Sequence, residues 1–323
     1  MVNIDALRSG DRKVLAKLLT LVESTRPEDR QETERILENL TDQRGNSLRI
    51  GITGIPGVGK STMIETLGRQ VIEAGSKLAV LAVDPSSMIS GGAILGDKTR
   101  MQTLSLDQSA YIRPSSAGKS LGGVSRRTRE SILVLEAAGY DMIFVETVGV
   151  GQAEAMVSQM TDLSILMLLP GGGDDLQGIK RGVMELADIV VVNKADGDLQ
   201  KRAVLSEVDV RHALEYMRPR HRGWKPHVLK TSALQGEGIN ELWKVILQFR
   251  KQTEQTGAFW ENRERQLHDW IRMEAREMIL DQFDRNQRLS LLHADLASEE
   301  TEPSSSHITL ARKLVKRFFE LSS

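Results

Sequence analysis

The chain has 323 residues and a formal net charge of -1, because 43 Lys and Arg nearly balance 44 Asp and Glu. This length allows one large α/β domain with additions or two small domains, and the balanced charge gives no overall attraction to nucleic acid or membrane surfaces. The absence of cysteine excludes disulfides, Cys-ligated zinc and thiol catalysis. With no signal pattern and no apolar bilayer-spanning segment, the sequence predicts a cytoplasmic protein.

The first part of the chain is predicted to be helical. Apolar residues recur at helical spacing up to about residue 45, and Pro27 separates two helices there. We therefore expect an N-terminal helical extension over residues 1–45.

From Leu48 onward, short apolar runs alternate with longer amphipathic stretches. The predicted strands are residues 48–53, 78–83, 142–146, 163–169, 189–193 and 227–231. This alternation is typical of βαβ units, so we predict an α/β fold with a mainly parallel sheet and helices on both faces, over residues 46–255.

Beyond Trp243 the strand pattern stops. Residues 259–292 form a charged amphipathic stretch, and a final helix follows a polar loop at 298–306. We expect residues 256–323 to form a C-terminal helical dimerisation arm. Amphipathicity alone leaves open whether these helices pack on their own domain or on a partner.

Residues 54–61, Gly-Ile-Pro-Gly-Val-Gly-Lys-Ser, match the P-loop pattern GxxxxGK[ST] between a predicted strand and a predicted helix. Glycines let backbone N–H groups point at phosphate oxygens, and the helix N-terminus adds its positive dipole. Lys60 is expected to reach the β- and γ-phosphates, and Ser61 to bind Mg²⁺. The predicted phosphate-binding residues are Gly54, Pro56, Gly57, Val58, Gly59, Lys60, Ser61 and Thr62.

Two later motifs, each at the end of a predicted strand, indicate which nucleotide base the site recognises. Residues 193–196, Asn-Lys-Ala-Asp, have the NKxD form in which the carboxylate of Asp196 can accept from guanine N1–H and N2–H₂, a donor pair that adenine lacks. Asn193 is expected to tie this loop to the P-loop, and the stem of Lys194 to cover one face of the base. The later segment Ser232, Ala233 and Leu234 is expected to offer a backbone N–H to guanine O6. Together the motifs predict GTP rather than ATP.

Acidic residues at strand ends are candidates for Mg²⁺ binding. Glu146 ends one apolar strand and has glycine three positions on, so it occupies the Walker B position, and Gly149 is expected to sense the γ-phosphate. Asp84 ends another strand, and Asp97 lies in a glycine-rich loop. With Ser61, these acids form the predicted metal site.

Hydrolysis also needs a positioned water and positive charge on the transferred phosphoryl group. We expect Lys60 to supply part of that charge. Gln152 is one candidate for the remaining role, although it lies two residues beyond the position that directly follows the switch glycine. Lys180 or Arg181, in the loop that begins at Gly171, is the alternative.

Several segments together resemble the MeaB/ArgK family of P-loop GTPases. They are DPSS, GGAILGDKTRM, VETVGVGQ, GGGDDLQGIK and NKADGD, and the resemblance covers roughly residues 5–275. It implies a Mg²⁺-dependent GTPase chaperone, cycling between GTP and GDP, that regulates cofactor loading and protection of adenosylcobalamin-dependent methylmalonyl-CoA mutase. It also implies a homodimer, and a response of Lys180 to the mutase.

Two other functions stay open at this point. A nickel-type metallochaperone of the same wider group would be expected to carry Cys or His clusters, but the chain has no cysteine and His212, His221 and His227 are scattered. A nucleotide-dependent kinase would use the same nucleotide site. Product analysis distinguishes them, because hydrolysis releases free phosphate and a kinase phosphorylates an acceptor.

Overall fold

The computed structural model describes residues 3–24, 26–40, 45–84, 101–116, 121–147, 152–171, 181–285 and 307–322. The strands are β1 (Leu48–Gly54), β2 (Leu78–Asp84), β3 (Ala110–Ser116), β4 (Met142–Thr147), β5 (Leu163–Leu168), β6 (Ile189–Val192) and β7 (His227–Lys230). The helices are α1 (Ile4–Arg8), α2 (Arg12–Glu23), α3 (Pro27–Glu38), α4 (Lys60–Glu73), α5 (Gln102–Leu106), α6 (Leu121–Ala137), α7 (Gln152–Ser158), α8 (Arg181–Met184), α9 (Gln200–Glu215), α10 (Ile239–Thr256), α11 (Ala258–Arg285) and α12 (His307–Ser322).

The seven strands form one parallel sheet in the order β3-β2-β4-β1-β5-β6-β7. The central strand β1 lies between β4 and β5, with Ile52 opposite Glu146 and Gly54 opposite Met167. Since all strands run the same way, their carboxyl ends meet at one edge of the sheet, where ligands bind in such folds. The predicted fold class is confirmed.

Both faces of the sheet are covered by apolar packing. On one face, buried residues of β1 and β4 pack with α4 and α10, as Ile52 and Phe144 do with Leu67 and Phe249. On the other face, α2, α6 and α7 pack against the sheet. Strands buried on both sides need apolar residues at successive positions, which explains why β6 is wholly apolar and why β4 and β5 are apolar except at Glu146, Thr147 and Ser164.

The N-terminal helices belong to the second of these cores, where Leu15, Leu18 and Leu19 are almost fully buried. Asp11 is the N-cap residue of α2, because its carboxylate accepts from the backbone N–H of Lys13 at 2.8 Å. The predicted break is also present, because α2 ends before Pro27 and α3 begins with it. Proline suits the first turn of a helix, whose N–H groups have no intrahelical acceptor.

The structure adds an edge strand, β3, that the apolar pattern does not predict. It contains Arg113 and Pro114, with Pro114 opposite Ala82 of β2. Proline lacks a ladder donor but is tolerated at the edge of a sheet. Arg113 is held by two bonds to the carboxylate of Glu23, at 2.6 and 3.1 Å, which attaches this edge to the end of α2.

The chain divides into two compact units, Met1–Gln266 and Leu267–Ser323. The first contains the sheet and the N-terminal helices. Within the described part of the second, the rings of Phe283 and Phe318 lie 5.3 Å apart. Among the residues that the structure describes, no helix has both the length and the apolarity needed to cross a membrane.

Candidate nucleotide-binding site

The P-loop joins the end of β1 to the start of α4, and two of its glycines are required by close neighbours. Gly54 has φ of 150° and Gly59 has φ of 98°, both in the region that favours glycine. A Cβ at Gly54 would lie 2.6 Å from the carbonyl oxygen of Met167, and one at Gly59 would lie 2.6 Å from Nδ2 of Asn193. The loop is therefore pressed between β5 and the segment after β6.

Lys60 is the first residue of α4, and its side chain turns back over the P-loop. Its Nζ donates to the carbonyl oxygens of Gly54 at 2.8 Å and Ile55 at 3.2 Å. Only 8% of the residue is exposed. The ammonium is thus held inside the curve of the loop, where a lysine can pair with phosphate oxygens. Val58 is buried beneath the loop, whereas Pro56 and Gly57 are exposed on it.

Two of the predicted Mg²⁺ ligands, Ser61 and Glu146, lie close together. The hydroxyl of Ser61 donates to Oε1 of Glu146 at 3.3 Å, and Glu146 is 3% exposed near the end of β4. Two adjacent oxygens in an octahedral Mg²⁺ shell, each at about 2.1 Å from the ion, lie about 3 Å apart. Hydroxyl and carboxylate oxygens are also the donors that this ion prefers. These residues therefore fit a magnesium ion.

Asn193 joins three segments at the carboxyl edge of the sheet. Its Nδ2 donates to the carbonyl oxygen of Val58 in the P-loop at 2.8 Å. Its Oδ1 accepts from the hydroxyl of Thr231 and from the backbone N–H of Ala233, each at 3.0 Å. The side chain is 2% exposed. One amide thus fixes the P-loop relative to the segment after β7.

The carboxylate of Asp196, which is predicted to read the base, is also oriented within the protein. The hydroxyl of Ser232 donates a short hydrogen bond to Oδ2 of Asp196. Between Asn193 and Asp196 the backbone passes through Lys194, which is exposed and has φ of 58°, and the N–H of Ala195 donates to the carbonyl of Thr231 at 3.0 Å. The two base motifs therefore form one paired structure at neighbouring strand ends.

The structure modifies one part of the base prediction. The backbone N–H of Ala233 donates to Asn193, so guanine O6 would have to replace that amide oxygen as its acceptor. Leu234, the next residue, has a side chain that is 83% exposed. On the other side of the loop, the carbonyl oxygen of Ala233 accepts from the hydroxyl of Thr66 at 2.8 Å.

Thr66 and Glu65, both on α4, were not predicted as parts of the site. Thr66 attaches α4 to Ala233 in the segment after β7. Glu65 accepts from the backbone N–H groups of Thr103 at 3.0 Å and Leu104 at 3.3 Å, and so attaches the same helix to α5. Neither residue belongs to a motif, and only the fold brings their partners close, so no sequence signal identified them.

Other predicted site residues lie wholly or partly outside the residues that the structure describes. Asp97, Gly149 and Lys180 lie outside the described residues. Asp84 ends β2, and its strand neighbours β4 in a register that places Ala82 opposite Glu146, while Gln152 begins α7. The side chains of Asp84 and Gln152 also fall outside the described part. Thr62, in the first turn of α4, is partly buried.

Comparison with known proteins gives a consistent assignment. The family described as methylmalonyl-CoA mutase-associated GTPase MeaB matches residues 15–288. The chain is 45% identical over 296 residues to GTPase ArgK of Escherichia coli, covering 90% of this chain and 89% of that protein. It is 46% identical over 287 residues to the mitochondrial methylmalonic aciduria type A homolog of Mus musculus, covering 86% and 69% of the two chains.

A solved structure is similar over nearly the whole chain. The crystal structure described as a LAO/AO transport system kinase superposes with a TM-score of 0.77 at 36% identity, and the match covers 97% of this chain and 95% of that one. The P-loop, the linked base motifs and the extent of the family match agree with one another. The chain belongs to the MeaB family of P-loop GTPases.

Proposed function

We propose that this protein hydrolyses GTP with Mg²⁺ and uses its nucleotide state to regulate cofactor loading and protection of an adenosylcobalamin-dependent methylmalonyl-CoA mutase. The nucleotide part of the proposal rests on the side-chain amide of Asn193, which joins the P-loop to Ala233 in the segment after β7. This link supports a single site that holds phosphates at one end and a purine at the other.

The protein's own groups have distinct roles in this proposal. Backbone N–H groups of the P-loop and the ammonium of Lys60 would bind the phosphates, and Asp196 would read the base. Ser61 and Glu146 would hold Mg²⁺, with Asp84 and Asp97 as further candidates. The ion, when bound, would neutralise negative charge on the phosphates. Lys180 and Gln152 are the alternative residues for the remaining role in hydrolysis, which is to position the water or to add positive charge at the transferred phosphoryl group.

The proposal of a mutase partner rests on family membership and on the name of the mouse relative, methylmalonic aciduria type A homolog. In this proposal the loop that begins at Gly171 responds to the mutase through Lys180. Gly171 lies at the carboxyl edge, where its N–H donates to the hydroxyl of Ser206 at 2.9 Å. A loop that starts at this edge is suitably placed to couple a partner to the nucleotide. Location in the cytoplasm stays a prediction from the sequence.

We also propose that residues 46–255 form the G domain and that residues 256–323 form the dimerisation arm. Support comes from exposed apolar residues at helical spacing on α11, where Leu267, Ile271 and Met278 are 50%, 57% and 53% exposed. Positions four and seven residues apart share one face of a helix. Such an apolar face in water favours association with a second copy.

The proposal is tested by measuring GTP turnover with and without the mutase, while identifying the product. We expect free phosphate, and faster release when the mutase is present. The variant Lys180→Ala should lose that stimulation, whereas Lys201→Ala, an exposed lysine on α9, should keep it. A phosphorylated acceptor instead of free phosphate would support the kinase alternative, which the description of the similar crystal structure favours.

If the mutase has no effect on turnover and does not bind the protein in the GDP or the GTP-analogue state, the partner proposal is wrong. Hydrolysis without any mutase would still support the nucleotide part. The two parts of the proposal can therefore fail separately.

A further inference from the structure

A cavity lies at the amino-terminal edge of the sheet, opposite the edge that carries the nucleotide site. Its volume is about 540 Å³. Lys77, Gln108 and Tyr140 line it, and they precede the neighbouring strands β2, β3 and β4. Arg12 and Leu15 of α2 contribute to its wall. The volume falls in the usual range for small-molecule sites, which is about 300–1,000 Å³.

One cation of this cavity is held in place by uncharged partners. Arg12 donates to the carbonyl oxygens of Gln108 at 2.8 Å and Ala110 at 2.9 Å, and its guanidinium lies 5.6 Å from the ring centroid of Tyr111. Carbonyl oxygens orient a guanidinium but leave its charge in place. Across the described ranges of the chain, Arg12 makes no ion pair with a carboxylate.

A second cation, Lys77, lines the same cavity, and its ammonium has no hydrogen-bond or ion-pair partner within the part of the chain that the structure describes. Two acids lie near it, and each accepts from the backbone. Asp107 accepts from the N–H of Ser109 at 2.7 Å, and Asp141 accepts from the N–H of Lys77 at 2.8 Å. Within the described ranges, neither carboxylate forms an ion pair with Lys77 or Arg12, so the ammonium and the guanidinium remain available to an incoming anion.

The rest of the lining combines apolar side chains with one phenol and with the polar residues Ser105, Asp107 and Gln108. Leu15 and Ala138 are each 2% exposed, and Tyr140 is 8% exposed. Burial raises the pKa of the Tyr140 phenol, an effect that the nearby Arg12 charge partly opposes, so the hydroxyl stays a hydrogen-bond donor at neutral pH. A ligand with an anionic group and a compact apolar body matches both kinds of surface.

We propose that this cavity binds a small organic anion, a carboxylate or a phosphate monoester carried on an apolar or aromatic body. Lys77 and Arg12 attract the anionic group, Tyr140 donates to it, and Leu15 and Ala138 contact the body. The site is separate from the nucleotide site, because it lies at the opposite ends of the strands. It does not depend on the proposed activity or on the mutase.

The test is calorimetric titration of the full chain with phenyl phosphate and with benzoate, in the presence of saturating Mg²⁺ and GDP so that the P-loop is filled. We expect one of the two to bind with a stoichiometry of one, and which of them binds identifies the anionic group. Inorganic phosphate, which lacks the apolar body, and benzyl alcohol, which lacks the charge, should bind at least about tenfold more weakly.

Variants assign the binding to this cavity. Lys77→Met should weaken binding of the preferred anion about tenfold, Lys77→Arg should retain it, and Tyr140→Phe should weaken it several-fold. Lys13→Met removes an exposed cation from α2 outside the cavity and should have no effect. Melting temperatures equal to that of the parent protein establish that the variants are folded.

Three results would overturn the proposal. They are no saturable binding of either anion, unchanged affinity in Lys77→Met, or an equal loss of affinity in Lys13→Met.

Discussion

The side-chain amide of Asn193 donates a 2.8 Å hydrogen bond to the carbonyl oxygen of Val58, and this bond joins the segment after β6 to the P-loop. The same amide accepts from Thr231 and Ala233. Because one small group holds both halves of the site, phosphate binding and base binding should depend on it together.

Asn193→Ala removes these three hydrogen bonds. We expect GDP and GTP to bind about 30-fold more weakly, since a net loss of about 2 kcal/mol is reasonable for buried bonds of this kind. Fluorescence titration with a labelled nucleotide measures the change. Asn39→Ala, at the exposed end of α3, is the matched control and should bind normally. Equal affinity in Asn193→Ala and the parent would show that the link is unimportant.

Substitutions at Gly57 and Gly59 distinguish the cost of backbone strain from the cost of a steric clash of the added Cβ. Both have positive φ, at 98° and 79°, but an added Cβ meets Nδ2 of Asn193 only at Gly59. Gly57→Ala should cost about 1 kcal/mol of stability from backbone strain alone. Gly59→Ala should cost more and should also displace Asn193. Thermal unfolding without nucleotide measures both, and an equal loss in the two variants would contradict the role of that contact.

Asp162 and Arg263 form a buried ion pair at the amino edge of the sheet, with bonds of 2.9 and 2.8 Å. Burial alone would raise the pKa of Asp162, but the charge of Arg263 and hydrogen bonds outweigh it, so that pKa is lowered. A carboxyl group with a lowered folded-state pKa contributes stability above its unfolded pKa of about 3.9, and that stability is lost as the pH falls through the folded value.

Asp162→Asn should therefore lower the free energy of unfolding by about 3 kcal/mol at neutral pH, because the buried guanidinium of Arg263 loses its carboxylate partner at 2.8 Å and keeps only Glu136, at 3.6 Å. The difference in free energy of unfolding between the variant and the parent protein should become smaller below about pH 4, because the parent then loses the contribution of the Asp162 carboxylate. Urea denaturation across this pH range measures it. Asp209→Asn, on the exposed side of α9, is the control. A difference in free energy of unfolding that does not change with pH would contradict the lowered pKa of Asp162.

The proposed arm predicts a change of oligomeric state. Ile271→Glu places a charge in the exposed apolar face that also contains Leu267 and Met278, and it should convert the dimer to a monomer in light-scattering measurements. Arg276→Glu adds the same side chain on another side of α11 and should leave the dimer intact. A monomeric parent protein, or a dimer that tolerates Ile271→Glu, would rule out this interface.

Much of the fold could be predicted because its signals are local. The buried strands are apolar at successive positions, and Gly75 and Gly139 follow α4 and α6 with the positive φ expected after a helix. β3 could not be predicted in this way. It contains Arg113 and Pro114, and only its edge position makes that composition acceptable.

The nucleotide motifs were recognisable because their chemistry depends on short, fixed spacings. The contacts that support them come from residues far apart in sequence, such as Thr66 with Ala233 and Ser61 with Glu146. The cavity at the opposite edge of the sheet could not be predicted either, because its lining residues are also far apart in sequence. Arg12 is brought close to Gln108 only when α2 packs on the sheet.

The most direct measurement on the guanine site is the nucleotide preference of Asp196→Asn. An amide at this position presents an N–H₂ group where guanine also has a donor, but it can donate to the O2 carbonyl of xanthine while accepting from N1–H. We predict that GTP binds about 100-fold more weakly and that xanthosine triphosphate becomes the preferred ligand. Asp198→Asn, two residues away and exposed, should keep the parent's preference. An Asp196→Asn protein that still prefers GTP to xanthosine triphosphate would contradict the assignment of this site to guanine.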